Sequence, residues 1–443
     1  MDYKAIVGFI MMILITVLLM KKKVSTIFSF TVIPLVAAII IGSSVKQIGT
    51  YLTKGLAMTT SVALIMLFSL PYFMLMADTG LFSGIVKRIV SRVRMNPVVL
   101  AILTVIVAMI TGLDVSITSV YLITVPLLLP FYKKMKMQPV ILVFLTSLGI
   151  INTFDVPWSA RMLRSASLIP KIDNGTNYLF AKLFPPQIVL TVVIFGIAVF
   201  LGLKETRRLK KLGIDAAAAA KAGGDDDDVF EEDAELVQPK KFWINVALTL
   251  VVIVCLCAFP DVPSYYTFAL GLVIALEINF HDQKLQVKLL KKYASSLFPV
   301  MPAILLSGVV VGVMEFSGMM QSMVKFLVGI IPAGMGPWIY IIIGLVGTPL
   351  MFVFTNDTWY YVLMPIVIGL MRAYGVPADV VIVTLFMNMG AMLTPIAQPQ
   401  LYIGTDLTNG EVDLPQYMKF AFIPIWLLNI VWIGIGLLMG TFR

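Results

Sequence analysis

The chain has 443 residues, of which 59% are hydrophobic and 13% are charged, and its mean hydropathy is +0.97. This composition excludes an ordinary soluble domain, in which about 25% of residues are charged. The net charge of +9 does not indicate nucleic-acid binding, because the basic residues lie in short segments between apolar stretches and form no continuous stripe. The composition therefore predicts an integral membrane protein.

Apolar windows that can cross a bilayer, about 20 residues at roughly 1.5 Å each, recur along the whole chain. The first has no small-residue cleavage site after it and is interpreted as a permanent span. The predicted crossings are 5–20, 27–42, 57–76, 140–169, 186–203, 243–259, 264–280, 297–314, 378–401 and 420–440. Polar residues interrupt the windows 140–169 and 378–401, which therefore predict two broken helices.

Two further segments each resemble a pair of half-spans with a polar middle. They cover residues 97–131, around Leu-Asp114-Val-Ser-Ile-Thr, and 337–371, around Thr-Asn356-Asp-Thr. Both predict re-entrant hairpins, with two ordinary tilted spans as the alternative. The predicted hairpins return to the side from which they start, so they add no crossing.

Residues 205–241 contain a low-complexity acidic and basic run that is too charged to pack or insert, and they predict a linker. The linker joins halves 1–204 and 242–443, which are locally similar: Gly80 to Val90 aligns without a gap with 318–328. With five crossings in each half, the two repeats must be inverted, as is typical of secondary transporters. The predicted fold class is an all-α integral membrane protein with two inverted repeats, about ten crossings, two re-entrant hairpins and two broken helices.

The distribution of charge predicts the orientation. Most of the 33 Lys and Arg residues fall on the face that carries the linker, so positive-inside bias places the linker in the cytoplasm and both termini outside the plasma membrane. Cys255 and Cys257 lie within an apolar run and predict neither a disulfide nor a zinc site. His281 lies in a polar connection at the end of a span and is given no role, because a metal site needs partners. No resident cofactor is expected.

Polar residues at mid-membrane depth are functional candidates, because each charge there costs about 2.5 to 3.5 kcal/mol. They occur in four clusters: one at each hairpin tip and one at each helix break. The candidates are Asp114, Ser116, Thr118, Asn152, Thr153, Asp155, Pro157, Ser159, Arg161, Thr355, Asn356, Asp357, Thr358, Thr394 and Gln398.

Broken helices leave backbone groups unpaired, which hydrocarbon tolerates only where they line a cavity or bind a ligand. Half-helix N-termini suit an anion and unwound carbonyls suit a cation, so the four clusters predict one midplane site for both. Asp114, Asp155 and Asp357 are predicted to bind the coupling ion or a metal, with helix capping as the alternative. Arg161 is predicted to hold a substrate carboxylate. The alternative, an interfacial arginine that reaches water, is preferred for Arg164.

Short motifs in and after these clusters are distinctive. They are Tyr121-Leu-Ile-Thr-Val, Met137-Gln-Pro139, Pro157-Trp158 with Arg161, Asn356-Asp357-Thr-Trp-Tyr360, Thr394-Pro395 and Gln416-Tyr-Met-Lys419-Phe. In these motifs the sequence resembles the citrate-metal:proton symporters, the CitMHS family of the ion transporter superfamily. The similarity covers most of the chain apart from the acidic linker.

The resemblance implies proton-coupled uptake of citrate complexed with a divalent metal such as Mg²⁺ or Ca²⁺. It also implies a homodimer in which a transport part slides against a static part, an elevator-type mechanism. Residues that match the family's site are Asp114, Thr118, Pro157, Arg161, Asn356, Asp357 and Thr394. One departure is that a Val-Ser-Ile-Thr run follows Asp114, where the family tends to have Gly-Asp-Gly-Thr. A free tricarboxylate or another small carboxylate therefore stays open as substrate.

Two other functions stay open. A sodium-coupled di- or tricarboxylate transporter of the same fold would differ only in its coupling ion, and an anion channel could also use hairpins and broken helices. An enzyme is not expected, because the sequence has no paired-histidine metal motif, nucleophile elbow or phosphate-binding glycine loop. The expected partners are a small carboxylate anion, a coupling ion and the lipid bilayer.

Overall fold

The computed structural model describes residues 2–443 apart from 22, 91–94, 115–116, 215–235, 260–261, 299–300, 333, 353, 396 and 399. The described residues form helices joined by turns and contain no strand. This confirms the predicted all-α fold class.

Nine helices lie in the described part of the first half. They are α1 (Tyr3–Met20), α2 (Thr26–Ile40), α3 (Val45–Asp78), α4 (Leu81–Val90), α5 (Pro97–Thr111), α6 (Ile117–Lys134), α7 (Pro139–Thr153), α8 (Ala160–Ala166) and α9 (Gly175–Lys211). A 3-10 turn, Gly112–Asp114, separates α5 from α6, which pack against each other, and both helices also pack against α7. The chain leaves helical geometry between α7 and α8, inside the window predicted as a broken helix.

Helix α9 extends further than the sequence indicates, since residues 205–211 are helical although they were predicted as linker. The reason is a buried carboxylate: Glu205 is 2% exposed and accepts a hydrogen bond from the Arg208 guanidinium at 2.8 Å. Its Oε2 also accepts from the backbone N–H of Gln138 at 3.1 Å, which ties α9 to the start of α7. Linker residues 215–235 lie outside the described part of the chain.

The second half contains twelve helices within the residues that the structure describes. They are α10 (Phe242–Ala258), α11 (Ser264–Asn279), α12 (Gln283–Leu297), α13 (Met301–Phe316), α14 (Met319–Ile330), α15 (Ile339–Leu345), α16 (Gly347–Leu350), α17 (Asn356–Thr358), α18 (Met364–Arg372), α19 (Ala378–Leu385), α20 (Leu401–Asp406) and α21 (Leu414–Leu438). A π-helical segment, Trp359–Leu363, joins α17 to α18 without a break. A 3-10 turn, Met389–Leu393, lies between α19 and α20.

Helices α3 and α13 cross in direct backbone contact and join the two halves. A Cβ added at Gly55 would lie 2.1 Å from the carbonyl oxygen of Gly308 and 2.9 Å from the Cα of Gly312. The Thr59 hydroxyl donates to the carbonyl oxygen of Leu305 at 2.8 Å. Small residues permit such close approach between apolar helices, where packing rather than the hydrophobic effect provides the attraction.

Four described helices are long and apolar enough to cross a membrane: Val45–Asp78, Gly175–Lys211, Pro239–Leu256 and Leu414–Leu438. Helices α13 and α14, bent by 67°, make a fifth if they form one span. Large apolar side chains stand on outward faces, such as Ile13 and Val192 at 60% and 66% exposed. The prediction of several apolar membrane-type helices is confirmed, whereas the number of about ten crossings stays a prediction.

Candidate substrate and coupling-ion site

The interruption between α7 and α8 is a capped loop held against the first hairpin. The Ser159 hydroxyl accepts from the backbone N–H of Met162 at 3.0 Å and donates to the carbonyl of Phe154 at 2.6 Å, so it caps α8. The Trp158 indole N–H donates to the carbonyl oxygen of Leu113 at the hairpin tip, at 3.1 Å. The structure thus brings the first helix break and the first hairpin tip together.

A buried ion pair lies at this interruption. Asp155 is fully buried, and its Oδ1 accepts from Nη1 of Arg161 at 3.1 Å. The same guanidinium lies 5.8 Å from the ring centroid of Phe386, beside the second helix break. The Oδ2 atom of Asp155 is buried and has no hydrogen-bond partner among the described residues. One predicted ion-binding acid therefore meets the predicted substrate arginine and keeps one oxygen without a partner.

Asn152 and Thr153, also predicted to bind substrate, face neighbouring helices. The Asn152 side-chain amide exchanges hydrogen bonds of 2.9 and 3.1 Å with the hydroxyl of Thr191 on α9. The Thr153 hydroxyl lies 3.3 Å from the carbonyl oxygen of Met109 on α5 and 3.0 Å from that of Gly149, one turn earlier, and can donate to either. These buried side chains fasten α7 beside the break, and their role in substrate binding stays a prediction.

The tip of the first hairpin is described only in part. Gly112 lies against Thr153, so that an added Cβ would be 3.2 Å from the Thr153 Cβ. Thr118 is half-buried in the first turn of α6. Ser116 and the side chain of Asp114 lie outside the described residues. The close approach at Gly112 nevertheless places this tip next to the interruption of α7.

Pro157 lines a cavity of about 1050 Å³. The cavity lies between α3 and the start of α9, and the end of α10 and start of α11 also line it. Pro157 is buried in the loop that also holds Asp155. The loop that carries Asp155 therefore contributes Pro157 to the lining of the cavity.

An amide cluster joins the second hairpin tip to the second break. The Asn356 amide N–H groups donate to the carbonyl oxygen of Ala397 and to Oε1 of Gln398, both at 2.9 Å. Its Oδ1 accepts from Nδ2 of Asn388 at 2.6 Å. Three amide side chains from α17 and from the break after α19 thus lie together, as predicted for Asn356 and Gln398.

Threonine hydroxyls beside this amide cluster form hydrogen bonds with backbone groups. The Thr355 hydroxyl accepts from the N–H of Thr358 at 3.2 Å and caps α17. The Thr394 hydroxyl donates to the carbonyl of Met351 at 3.3 Å, which links the break to the hairpin tip. Thr355, Thr358 and Thr394 therefore shape the loops, and their contact with substrate stays a prediction.

The π-helical segment after α17 satisfies carbonyl groups that the end of α19 leaves open. The Trp359 indole N–H donates to the carbonyl of Leu385 at 3.0 Å, and the Tyr360 hydroxyl donates to that of Phe386 at 2.7 Å. Single π turns inside helices occur frequently at functional sites. Here the extra residue per turn aims successive aromatic side chains at the second break and at α8.

The sequence predicts that the Arg164 side chain reaches water, and the structure shows that this prediction is wrong. Its Nη2 lies 2.9 Å from Oδ1 of Asp357, and the two side chains are only 16% and 23% exposed. The hydroxyl of Thr26 on α2 donates to the other carboxylate oxygen at 3.3 Å. The available signal was the three-residue spacing from Arg161, which places both guanidinium groups on one face of a helix.

The four clusters can supply cationic donors and carboxylate acceptors at one place. Arg161 and Arg164 can bind a carboxylate through paired N–H groups, and Asp155 and Asp357 can bind a proton or a cation. Within the described residues, no group of three or more His, Cys, Asp or Glu side chains is arranged to hold a metal ion. The geometry suits an anion accompanied by a small positive charge.

Comparisons with known proteins agree with this description. The profile of the Na+/H+ antiporter family matches residues 1–206. The chain is 30% identical over 377 residues to the citrate transporter of Bacillus subtilis (strain 168), covering 84% of each chain. It is 29% identical over 440 residues to the Mg(2+)/citrate complex secondary transporter of the same organism, covering 99% of this chain and 98% of that protein.

A solved structure has the same overall fold. The crystal structure of the Alcanivorax borkumensis YdaH transporter superposes with a TM-score of 0.62 at 12% identity, over 89% of this chain and 88% of that one. Together, the apolar helices and the relatives define a multi-pass membrane protein of the transporter class, which confirms that it is not an enzyme. The chain belongs to the family of the two Bacillus relatives, the citrate-metal:proton symporters, as its motifs predicted.

Proposed function

We propose that the protein is a secondary active transporter that carries citrate, or citrate complexed with a divalent metal such as Mg²⁺ or Ca²⁺, together with protons. The names of the two relatives support the substrate. The structural observation that carries the proposal is that α8 presents two arginines, each paired with a carboxylate, where the helix break meets the second hairpin. Such a site can exchange an internal carboxylate for a carboxylate of the substrate.

The proposed roles follow from charge. Asp155, Asp357 and, at the first hairpin tip, Asp114 bind the coupling proton or the metal, since a carboxylate can accept either. The Oδ2 atom of Asp155, which has no hydrogen-bond partner among the described residues, supports this role. Donor groups bind the carboxylates and hydroxyl of citrate. The proposed donors and contact residues are Ser116, Thr118, Asn152, Thr153, Pro157, Ser159, Arg161, Thr355, Asn356, Thr358, Thr394 and Gln398.

We also propose that halves 1–204 and 242–443 are inverted repeats. The order of elements supports this: α3 and α4 correspond to α12, α13 and α14, and each half continues with a hairpin, an interrupted helix and a long final helix. The α3–α13 crossing then pairs equivalent helices. Elevator-type movement, a homodimer, a cytoplasmic linker and extracytoplasmic termini in the plasma membrane belong to the same proposal.

The experiment that tests the function is uptake of radiolabelled citrate into proteoliposomes under an imposed pH gradient, with magnesium, calcium or a chelator present. Metal-stimulated, gradient-driven uptake supports proton-coupled transport of the complex. Uptake that a chelator leaves intact assigns free citrate as the substrate. Uptake that requires a sodium gradient instead supports the sodium-coupled alternative, and the absence of citrate counterflow would indicate a channel or another substrate.

A further inference from the structure

Two donor groups beside the Arg164 ion pair have no hydrogen-bond partner of normal geometry within the described residues. They are the Nε of Arg164 and the hydroxyl of Tyr361, and both atoms are buried. The Arg164 guanidinium carbon lies 5.9 Å from the Tyr361 ring centroid. The Tyr361 hydroxyl faces Arg164 itself and Ser307, but neither contact has the geometry of a hydrogen bond. A buried polar group without a well-formed hydrogen bond costs free energy, so two such groups side by side point to a ligand that accepts from both.

The chemistry of these donors selects the ligand. A guanidinium carries five N–H donors and accepts nothing, and its planar edge matches the two oxygens of a carboxylate. Only Nη2 of Arg164 is engaged with Asp357, so Nε remains for a second acceptor. The Tyr361 side chain is 1% exposed, so its hydroxyl cannot be satisfied by bulk water.

We propose that Arg164 and Tyr361 form a carboxylate-binding subsite that holds one carboxylate of the transported anion. This inference rests on the proposed function and deepens it, because it assigns recognition of one carboxylate to α8 and the π-helical segment. The Arg164 Nε–H and Tyr361 O–H donate to the carboxylate oxygens. The subsite lies between the two halves, since α8 belongs to the first and Tyr361 to the second.

Asp357 gives this subsite a second state. In the structure its carboxylate occupies Arg164, with Thr26 donating to the other oxygen. A cation bound to Asp357 weakens the ion pair and frees Arg164 for the substrate. Substrate binding and coupling-ion binding then favour each other, as linkage between two sites requires.

The test compares Tyr361→Phe and Arg164→Lys with the wild type in proteoliposomes, by inhibition of labelled citrate exchange at fixed magnesium. The competitors are citrate, 3-hydroxyglutarate, which lacks its central carboxylate, and malate. Each variant should bind citrate about tenfold to a hundredfold more weakly, the loss expected for one charge-assisted hydrogen bond. For at least one of the two dicarboxylates, binding to the variants should weaken less than threefold.

The matched control is Arg372→Lys, the same substitution in an exposed ion pair with Glu315 outside the site, which should leave all three values unchanged. The subsite is overturned if the variants weaken the binding of all three acids equally, or if Tyr361→Phe binds citrate as tightly as the wild type does. In both cases, citrate exchange by the wild type still upholds the proposed function. If the wild type exchanges no citrate, the proposed function fails, and thermal stabilisation by succinate then tests the subsite. Equal stabilisation of wild type and both variants would overturn it.

Discussion

The two ion pairs of α8 differ in burial and in the sequence separation of their partners. Arg161 and Asp155 are six residues apart, with side chains 9% and 0% exposed, whereas Arg164 and Asp357 are 193 residues apart and 16% and 23% exposed. The first pair lies within one segment, so it can move with α8 as a unit. The second pair connects the halves and must break if they separate. In the proposed mechanism, the first pair therefore builds the site, and the second pair responds to its occupant.

The largest effect is expected from Asp357→Asn, which removes the carboxylate but keeps its shape. The amide binds no proton and does not hold Arg164 by charge. Citrate uptake driven by an ion gradient should fall by about a hundredfold or more, because the coupling ion loses the carboxylate that binds it, and a hydrogen bond to a charged group contributes about 1.5 to 3 kcal/mol. Exchange of citrate at equal concentrations should persist.

Both activities would be measured in the same proteoliposomes. Loss of exchange together with uptake would show that Asp357 binds the substrate itself. Gradient-driven uptake that persists at more than a tenth of the wild-type rate would remove Asp357 from coupling.

The free energy of unfolding should depend more on the Asp155 pair than on the Asp357 pair, the reverse of the order expected for citrate uptake. Asp155→Asn leaves the Arg161 charge buried without its partner, which costs about 3 to 5 kcal/mol, whereas breaking the partly exposed Arg164 pair by Asp357→Asn should cost about 1 kcal/mol. Thermal unfolding of the purified protein in detergent measures both. The double substitution Asp155→Leu with Arg161→Met should recover part of the loss, and a lower Tm for Asp357→Asn than for Asp155→Asn would contradict the assignment.

Two asparagines test whether side chains at the breaks bind substrate or fasten helices. Asn356→Ala removes three hydrogen bonds between the second hairpin and the second break and should raise the KM for citrate by about tenfold, corresponding to about 1.4 kcal/mol. Asn152→Ala also breaks the hydrogen bonds to Thr191 on α9, so it should lower the Tm in addition to raising the KM for citrate. A KM that stays within about twofold of the wild-type value would remove Asn152 from the proposed substrate site and leave it the role of fastening α7.

The smallest effect is expected at the exposed ion pair between Arg372 and Glu315. These side chains are 55% and 31% exposed, and an exposed pair contributes about 0 to 1 kcal/mol. Arg372→Gln should therefore change neither citrate uptake nor Tm measurably. A large loss of uptake would show that ion pairs outside the site also govern transport. The effects of the two α8 pairs could then not be assigned to their positions in the site.

Much of the fold was predictable because the signals are local. Apolar windows, proline and polar residues within them indicated the helices and the place where α7 stops. The extension of α9 through residues 205–211 was not predictable in this way. Its charged residues are typical of a solvated linker, and only packing against the start of α7 makes Glu205 a buried partner.

Part of the candidate site was predictable as well. Asp155, Arg161, Asn356 and Gln398 stood out because charged and amide side chains are costly in apolar surroundings, and the structure pairs them. Arg164 was assigned to the water interface, because a sequence shows which side chains need partners but not where the partners are. The three-residue spacing from Arg161 was the single local sign of its position.

The sequence by itself determined the membrane class, the helical content, the positions of the breaks and the chemical types present at them, since each depends on neighbours along the chain. Tertiary structure decided which acid each arginine meets, that Asn152 turns to α9, and that Tyr361 lies beside Arg164. These outcomes depend on the packing of segments far apart in sequence. A pair such as Arg164 and Asp357, 193 residues apart, exists only after both halves have folded against each other.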